Sequence, residues 1–561
     1  MAVVVVPLAS AITMVALGCG AVFLSLLVHR TAQEVAHAYR TPLRSLRGPK
    51  SNSVLFGSFK DVLEYEAYRT QERWIQQYGP IFKFQSFLNR DYLMIMDKKA
   101  LHYVLSKFEK TPIVNFAIRG IVGEGILTVT GSKHKQQRKL MSPAFGAMQI
   151  RSFIEIFLNK SNQLRDILLH KTTQSHRTDG AVTVDMYGWL SQATLDIIGL
   201  AGFHHDFNTL NSSEDGHNEI TQAVWDLFDF KEDEISYILQ LFLPVTRIIP
   251  TERTRKQKRA LNVLHRLGHS MIEQKKIQVL KEAGPSDTSS NASGSLQKAD
   301  VQGRDLLSLL MKANMASDIP EDARMSDDEI VSQIPAFLIA GYETTSTAIA
   351  WLLFNLACDQ RAQKKLRDEL QALHSEKPTM DELSELPYLD MVVRESLRLH
   401  PPISNSERVA TEDDVIPLET EFLDRYGKRS DHVRVIKGDI IYIPIRAMNR
   451  SKELWGEDAH EFKPERWENI PDKVSAIPSV WNNTMTFLAG SHACMGFRFA
   501  VIEIKAMLFT LLRTLELELA ITPEDIGRKT NIVGRPYVIS DPDEGPQLPM
   551  LVREVSYKGK D

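Results

Sequence analysis

The sequence predicts a mainly α fold with a smaller β part (α+β), carried behind an N-terminal transmembrane helix. Three observations lead there. Residues 1–28 contain no charged side chain. Helical apolar patterning dominates from about Gln136 to Leu399. Short β-branched and aromatic runs flank that stretch: Ile81-Phe-Lys-Phe84 and Tyr92-Leu-Met-Ile-Met96 before it, Val433-Arg-Val-Ile436 and Ile440-Ile-Tyr-Ile443 after it. The 561 residues, 43 % hydrophobic and 25 % charged, suffice for one large globular core. A formal charge of −4 gives no electrostatic basis for a nucleic-acid partner. Cys19, Cys358 and Cys494 are far apart and form no CxxC pair. That excludes a disulfide framework or zinc spacing and fits a reducing compartment.

Residues 1–29 read as the anchor. A 27-residue helix would be roughly 40 Å long against about 30 Å of bilayer hydrocarbon. The run lacks the basic start of a cleaved signal. Arg30, Arg40, Arg44, Arg47 and Lys50 follow it against one acid, Glu34. The positive-inside rule then leaves the body in the cytosol. Residues 30–50, with Pro42 and Pro49, read as a basic hinge. The body is expected over 51–561, interrupted by a flexible Ser/Gly/Asn-rich loop at about 283–303.

Within the body, Ser326-Asp-Asp-Glu329 is a capping box opening a long apolar helix, with Pro335 expected to bend it. Ala340-Gly341-Tyr342-Glu343-Thr344-Thr345 breaks its apolar character. Ala340 and Thr344, four apart, share a face. Small residues, a hydroxyl and a carboxylate there fit a ligand passing close, or a kinked core helix whose hydroxyls bond back to the preceding turn. A second helix, Tyr388 to Leu399, stops before Pro401-Pro402. Glu395 and Arg398 can pair along it, and Arg466 in Phe462-Lys-Pro-Glu-Arg466-Trp467 can supply the further partner that a buried pair needs.

The most informative segment is Phe487-Leu-Ala-Gly490-Ser-His492-Ala-Cys494-Met-Gly496, which opens an apolar helical run from Phe497 to Leu515. A thiolate at a helix N-terminus is stabilised by unpaired N–H groups and the macrodipole. Gly490 and Gly496 would let the loop turn back and a flat ligand approach. Such a thiolate suits an axial iron ligand, although a buried structural cysteine has the same local pattern. His204 and His205 have no partner at metal spacing.

These pieces, in this order, resemble the cytochrome P-450 superfamily of haem-thiolate monooxygenases over about residues 40 to 555, in the microsomal membrane-anchored form and with similarity to fungal members. The resemblance implies haem b with Cys494 as its axial ligand and Phe487 packed beside the sulfur. It implies that Glu343 and Thr344 are an acid–alcohol pair supplying protons for oxygen activation. Glu395, Arg398 and Arg466 would hold the haem-side core, and Arg408 would meet a haem propionate. Arg138 lies in His134-Lys-Gln-Gln-Arg138, similar to the family's WxxxR segment with His134 in place of tryptophan. His492 stands where the family has arginine. An imidazole's charge depends on pH, so the two histidines are expected to make haem retention weaken as pH rises through their pKa range.

Phe116 and Ile118, in a loop region expected over the haem, with Ala336, Phe337, Ala340 and Ile403, would line an apolar pocket for a lipophilic small molecule. No Gly-rich nucleotide fingerprint follows a strand. The resemblance therefore implies that NADPH and flavins act only through a partner NADPH–cytochrome reductase, with cytochrome b5 as a possible second donor. It places the chain in the endoplasmic reticulum membrane as a single-pass protein. Fungal secondary metabolism, with a terpenoid-like substrate, is the expected setting. A reductase-independent haem-thiolate isomerase or dehydratase, and a non-catalytic haem-binding sensor, are the alternative readings. The apolar stretch Tyr237 to Pro250, followed by basic Arg253 to Arg259, fits either core packing or a membrane-surface contact.

Overall fold

The computed structural model describes residues 8–51, 53, 56–58, 61–62, 67–211, 219–228, 234–282, 305–315, 324–530 and 532–555. The loop expected at 283–303 lies outside them. The helices that build and support the site are, in chain order, α1 (Leu8–Arg40), α2 (Pro112–Val122), α3 (Gly131–Met141), α4 (Ala147–Thr173), α5 (Met186–Phe203), α6 (Gln333–Cys358), α7 (Pro387–Leu399) and α8 (Phe497–Leu512). The strands are β1 (Ile81–Gln85), β2 (Asp91–Ile95), β3 (Val182–Asp185), β4 (Ser406–Val409), β5 (Asp414–Leu423), β6 (Arg429–Val435), β7 (Ile440–Ile443), β8 (Leu515–Leu519), β9 (Ile526–Thr530), β10 (Gly534–Val538) and β11 (Pro549–Glu554).

The strands form a four-stranded sheet in the order β1-β2-β7-β4, a three-stranded sheet β3-β11-β8, and the hairpins β5–β6 and β9–β10. In the first sheet β2 and β7 pair in parallel, with Leu93 opposite Ile441. The sequence runs at 81–84, 92–96, 433–436 and 440–443 all coincide with strands. β3 was hidden inside the stretch read as helical. It has four residues and gains its ladder only from β11, which pairs Val184 with Met550 across most of the chain. Alternation over so short a piece carries little signal.

α6 is the central helix, and most of its length is buried against α5 and α8. The capping box forms: Ser326 Oγ accepts from the Glu329 N–H, and the Glu329 carboxylate accepts from the Ser326 N–H. The first turn, Asp327–Val331, is broken from α6 at Ser332. Pro335 explains the break, because its ring nitrogen donates nothing to the Val331 carbonyl and its ring crowds that carbonyl. Gly341 has a packing reason. A Cβ there would meet Ile198 Cγ1 of α5 at 2.6 Å. By length and mean hydropathy Asp327–Cys358 could cross a membrane, but it is the 78 % buried core helix of this fold.

A buried ionic network joins α7 to the loop that precedes Cys494. Glu395 and Arg398 have no exposed surface. Arg398 donates to both Glu395 oxygens, at 2.9 and 2.8 Å, and Arg466 donates to one at 3.2 Å. Trp467 Nε1 and the Lys463 N–H complete the carboxylate, each at 3.1 Å. Arg398 also donates to the Asn449 carbonyl at 2.8 Å. The Asn449 side chain accepts from the Met485 N–H and donates to Thr486 Oγ1, and Thr486 Oγ1 donates to the Leu397 carbonyl. Each oxygen of the carboxylate and each nitrogen of the Arg398 guanidinium has a partner, so the buried charges are tolerated. Replacing Glu395 by Gln leaves the buried Arg398 guanidinium without a counter-charge, while Arg466 keeps its ion pair with Asp458. The expected cost is about 3–5 kcal/mol, read as a lowered urea midpoint.

Candidate active site

The loop between Met485 and Phe497 is a chain of constrained turns. Leu488 has φ 56°, unusual for a side-chain-bearing residue. Two backbone bonds over-determine it: its N–H donates to Met485 O at 3.0 Å and its carbonyl accepts from Val480 N at 3.1 Å. Gly490 has φ +72°, and a Cβ there would lie 2.2 Å from the Leu105 carbonyl oxygen, so only glycine fits. Gly496 differs. Its φ is −85°, and an added Cβ would make only ordinary contact with Phe145 at 3.7 Å. Its part lies in its N–H, which hydrogen-bonds Cys494.

The Cys494 N–H donates to the Phe487 carbonyl at 2.9 Å, closing the loop across seven residues. The Phe487 ring packs edge-on against Trp481, with centroids 5.3 Å apart. Cys494 is accessible while protein surrounds the remainder of the group. Burial pushes its thiol up to about 11, against the pull of the Gly496 N–H and the Arg138 charge. Among the loop's neighbours, Arg138 of α3 donates to the Ala493 carbonyl at 2.8 Å, tying α3 to the cysteine.

The polar cluster beside the loop tests whether a haem fits. Arg408 of β4 is wholly buried. Its Nη1 is used by Ser406 Oγ and the Glu407 carbonyl, at 2.9 and 2.8 Å. Its Nε and Nη2 have no partner, and neither has His492 Nδ1. Burial first, partly offset by Glu109, lowers the Arg408 guanidinium to about 10. A buried cation with two idle donors calls for an acceptor that is anionic. A propionate carboxylate beside a cysteine on a glycine loop meets that requirement, so the residues fit a haem.

The His134 and His492 rings lie 4.1 Å apart. His492 Nε2 is 3.0 Å from Glu109 Oε2. Burial, then the Lys110, Arg408 and Arg138 cations, pushes His492 down to about 3. Burial, then His492, lowers His134 to about 4. Burial is the largest cause for both rings, ahead of the neighbouring charges.

On α6, Ala340 is exposed and Thr344 partly so, while Glu343 is buried. Thr344 Oγ1 donates to the Ala340 carbonyl at 2.6 Å, which leaves its lone pairs facing outward. Glu343 is 2 % exposed and forms an ion pair with Arg535 of β10, and the Tyr187 hydroxyl donates to it at 3.1 Å. Successive helical residues point about 100° apart. The acid and the alcohol therefore occupy different faces, and Arg535 is a partner that sequence reasoning missed. Nothing in the hairpin's sequence marks it.

The remaining pocket candidates separate. Phe337 packs edge-on to Phe145, centroids 5.8 Å apart. Ala336 is buried in the helix packing and Ile403 is half-buried in the smaller core. Phe116 and Ile118 sit on a helix, α2, where a loop was expected. The missed signal was Thr111-Pro112: the threonine hydroxyl caps the Val114 N–H and proline occupies the first helical position. Phe116 lies under the Arg247 guanidinium, 3.7 Å from its centroid.

An accessible cysteine on a closed loop with idle buried cation donors beside it has the donor set that a haem and its propionates would use. Comparison with known proteins agrees. The pattern described as Cytochrome P450 matches residues 47–538, and the chain belongs to that family. It is 43 % identical to cytochrome P450 monooxygenase 205 of Postia placenta, over 96 % of this chain and 98 % of that one. It is 40 % identical to monooxygenase 128 of the same fungus, over 95 % and 97 %. Cytochrome P450 monooxygenase claP of Ampulloclitocybe clavipes is 33 % identical over 95 % of this chain. The chain is thus a haem enzyme of the monooxygenase family with fungal relatives.

Two measurements test the site. Arg408→Ala should release haem at least tenfold faster to an apoglobin acceptor, with the spectrum of the bound fraction unchanged. Glu407, beside it, has its carboxyl pushed up to about 7 by burial, against the Thr111 hydroxyl and the Arg90 charge. The folded protein therefore binds a proton that the unfolded chain releases between about pH 4.5 and 7. Stability should fall as pH rises through that window. Glu407→Gln should flatten this part of the melting profile.

Proposed function

We propose that the chain is a membrane-anchored monooxygenase that inserts one oxygen atom into a lipophilic small molecule and reduces the other to water, with electrons from NADPH through a partner reductase. The observation that carries this reading is Cys494, accessible on its closed loop, with the idle buried donors of Arg408 beside that loop. Haem bound at Cys494 supplies the metal chemistry of oxygen activation.

This chain's residues do the rest. The Gly496 N–H and Arg138 stabilise negative charge on the sulfur. Arg408 orients the cofactor's carboxylate side. Ala340 leaves room for substrate beside the helix, and Phe337 would keep the wall apolar. Thr344, its own proton committed to the Ala340 carbonyl, accepts a hydrogen bond on the open side and fixes where a proton-bearing water sits. Glu343 must loosen from Arg535 before it can feed that water. Cytochrome b5 as a second electron donor, the endoplasmic reticulum as location and fungal secondary metabolism with a terpenoid-like substrate complete the proposal. Residues 1–29 act as the anchor, 30–50 connect it to the body, and 51–561 form the catalytic domain. The exposed apolar side chains of α1, among them Leu24 and Val28, support the anchor.

The test is expression with a fungal NADPH–cytochrome reductase, a carbon monoxide difference spectrum, and untargeted product analysis on lipid extracts. A thiolate-type Soret shift and NADPH-dependent products are expected. Thr344→Ala should keep the spectrum but lower product formed per NADPH several-fold. Unchanged coupling would remove Thr344 from proton supply.

A further inference from the structure

The cysteine loop carries rings on both sides of Cys494. Phe487, whose carbonyl accepts from the Cys494 N–H, has its ring 6.0 Å from that of Phe497, the first residue of α8. The Arg498 guanidinium lies over Phe497, 4.4 Å from its centroid. Trp481 extends the cluster: its indole meets Phe487 edge-on at 5.3 Å, a favoured aromatic geometry. Trp481 is half-buried, so it stands between Phe487 and the surface.

The indole is held by more than packing. Ser479 Oγ accepts from the Trp481 N–H at 2.9 Å, and the Val480 N–H donates to the Leu488 carbonyl of the loop at 3.1 Å. Asn482 and Asn483 follow with φ 52° and 53°, two left-handed residues in succession, each bearing a side chain. That turn sets the Asn482 amide between Trp481 Nε1 at 2.9 Å and Arg394 Nε at 3.1 Å. Both neighbours only donate, so the amide oxygen is the atom that faces them. Arg394 pairs with Asp390 one turn back in α7, at 2.5 Å, and Asp390 also accepts from Lys505 of α8 at 2.8 Å. A polar strut therefore runs from α8 through α7 to the indole N–H. An indole that only fills space needs neither the strained turn nor the strut.

Resting on the reading of Cys494 as the axial ligand, we propose that Trp481 is a positioning residue that sets the reduction potential of the bound haem: held by Asn482, it fixes Phe487 and keeps water from the sulfur side of the loop. Reduction adds one electron to the iron–sulfur unit. The added negative charge is stabilised by any water hydrogen that reaches the sulfur, so the apolar shell around a thiolate ligand governs its potential. An intact ring cluster withholds that stabilisation and holds the potential low.

The experiment is a dye-monitored reductive titration of the full haem-loaded chain, with the carbon monoxide difference spectrum and the urea midpoint taken on the same samples. Trp481→Ala should keep the thiolate-type Soret band and favour the reduced state by roughly threefold or more, about 28 mV for a one-electron couple. Trp481→Phe keeps a ring edge against Phe487 and should recover at least half of that shift. Asn482→Gly suits the left-handed turn but removes the acceptor, so it should raise the potential too. Asn482→Asp keeps an acceptor and should not raise it. A parent without the thiolate-type band overturns the ligand reading and this inference with it. A parent with that band and an unmoved potential in Trp481→Ala overturns the inference alone, even where the urea midpoint falls. A shift in Trp481→Ala without one in Asn482→Gly overturns the role of the strut. Should Trp481→Ala fail to hold haem, the two Asn482 variants decide, and a potential in Asn482→Gly no higher than the parent's overturns the inference.

Discussion

The Glu395 carboxylate is the constraint on which the site depends. It is fully buried, so its charge must be met by Arg398, Arg466, Trp467 and a backbone N–H. Arg398 spends its remaining N–H groups on carbonyls of the segment around Asn449. Asn449 in turn holds the Met485 and Thr486 backbone and hydroxyl that begin the cysteine loop. A continuous run of hydrogen bonds therefore connects a helix carboxylate to the backbone that presents Cys494. The loop's strained residues, Leu488 and Gly490, persist because this frame and the Leu105 wall leave them no other path.

The opposite principle operates beside the loop. There the protein keeps buried donors idle, at Arg408, and lets desolvation depress nearby cations, including Lys110, lowered to about 8. Folding supplies satisfied charge under the site and unsatisfied positive charge at its edge. The first gives rigidity; the second gives affinity for an anion. The two histidine rings pack tilted against each other, with centroids 4.1 Å apart.

Much of this was legible in the sequence because it is local. The capping box, the proline break, the cysteine loop and the i,i+3 spacing of Glu395 and Arg398 are read within a few residues. What was hidden is non-local. β3 exists only through its pairing with β11. Arg535 reaches Glu343 from a hairpin near the C-terminal end, and no spacing rule connects them. Gly341 read as room for a ligand, and the structure assigns it to close packing with Ile198. Residues 30–40 read as hinge, and they continue α1 as helix, where Glu34 pairs with Arg90 and His37 meets Asp439, both far away in sequence. The α2 helix was missed although its threonine cap and proline were in plain view, because the loop expected there came from the family resemblance and not from these residues.

The Arg535–Glu343 pair has a further meaning. The β9–β10 hairpin is bound to the central helix at a second point, where Trp351 donates to the Gly534 carbonyl at 2.8 Å. One small hairpin therefore grips the central helix at two places two turns apart, once by charge at Glu343 and once by a neutral bond at Trp351. Drift in those few residues would shift that helix's polar partners while leaving the cysteine loop and the ionic frame beneath it untouched.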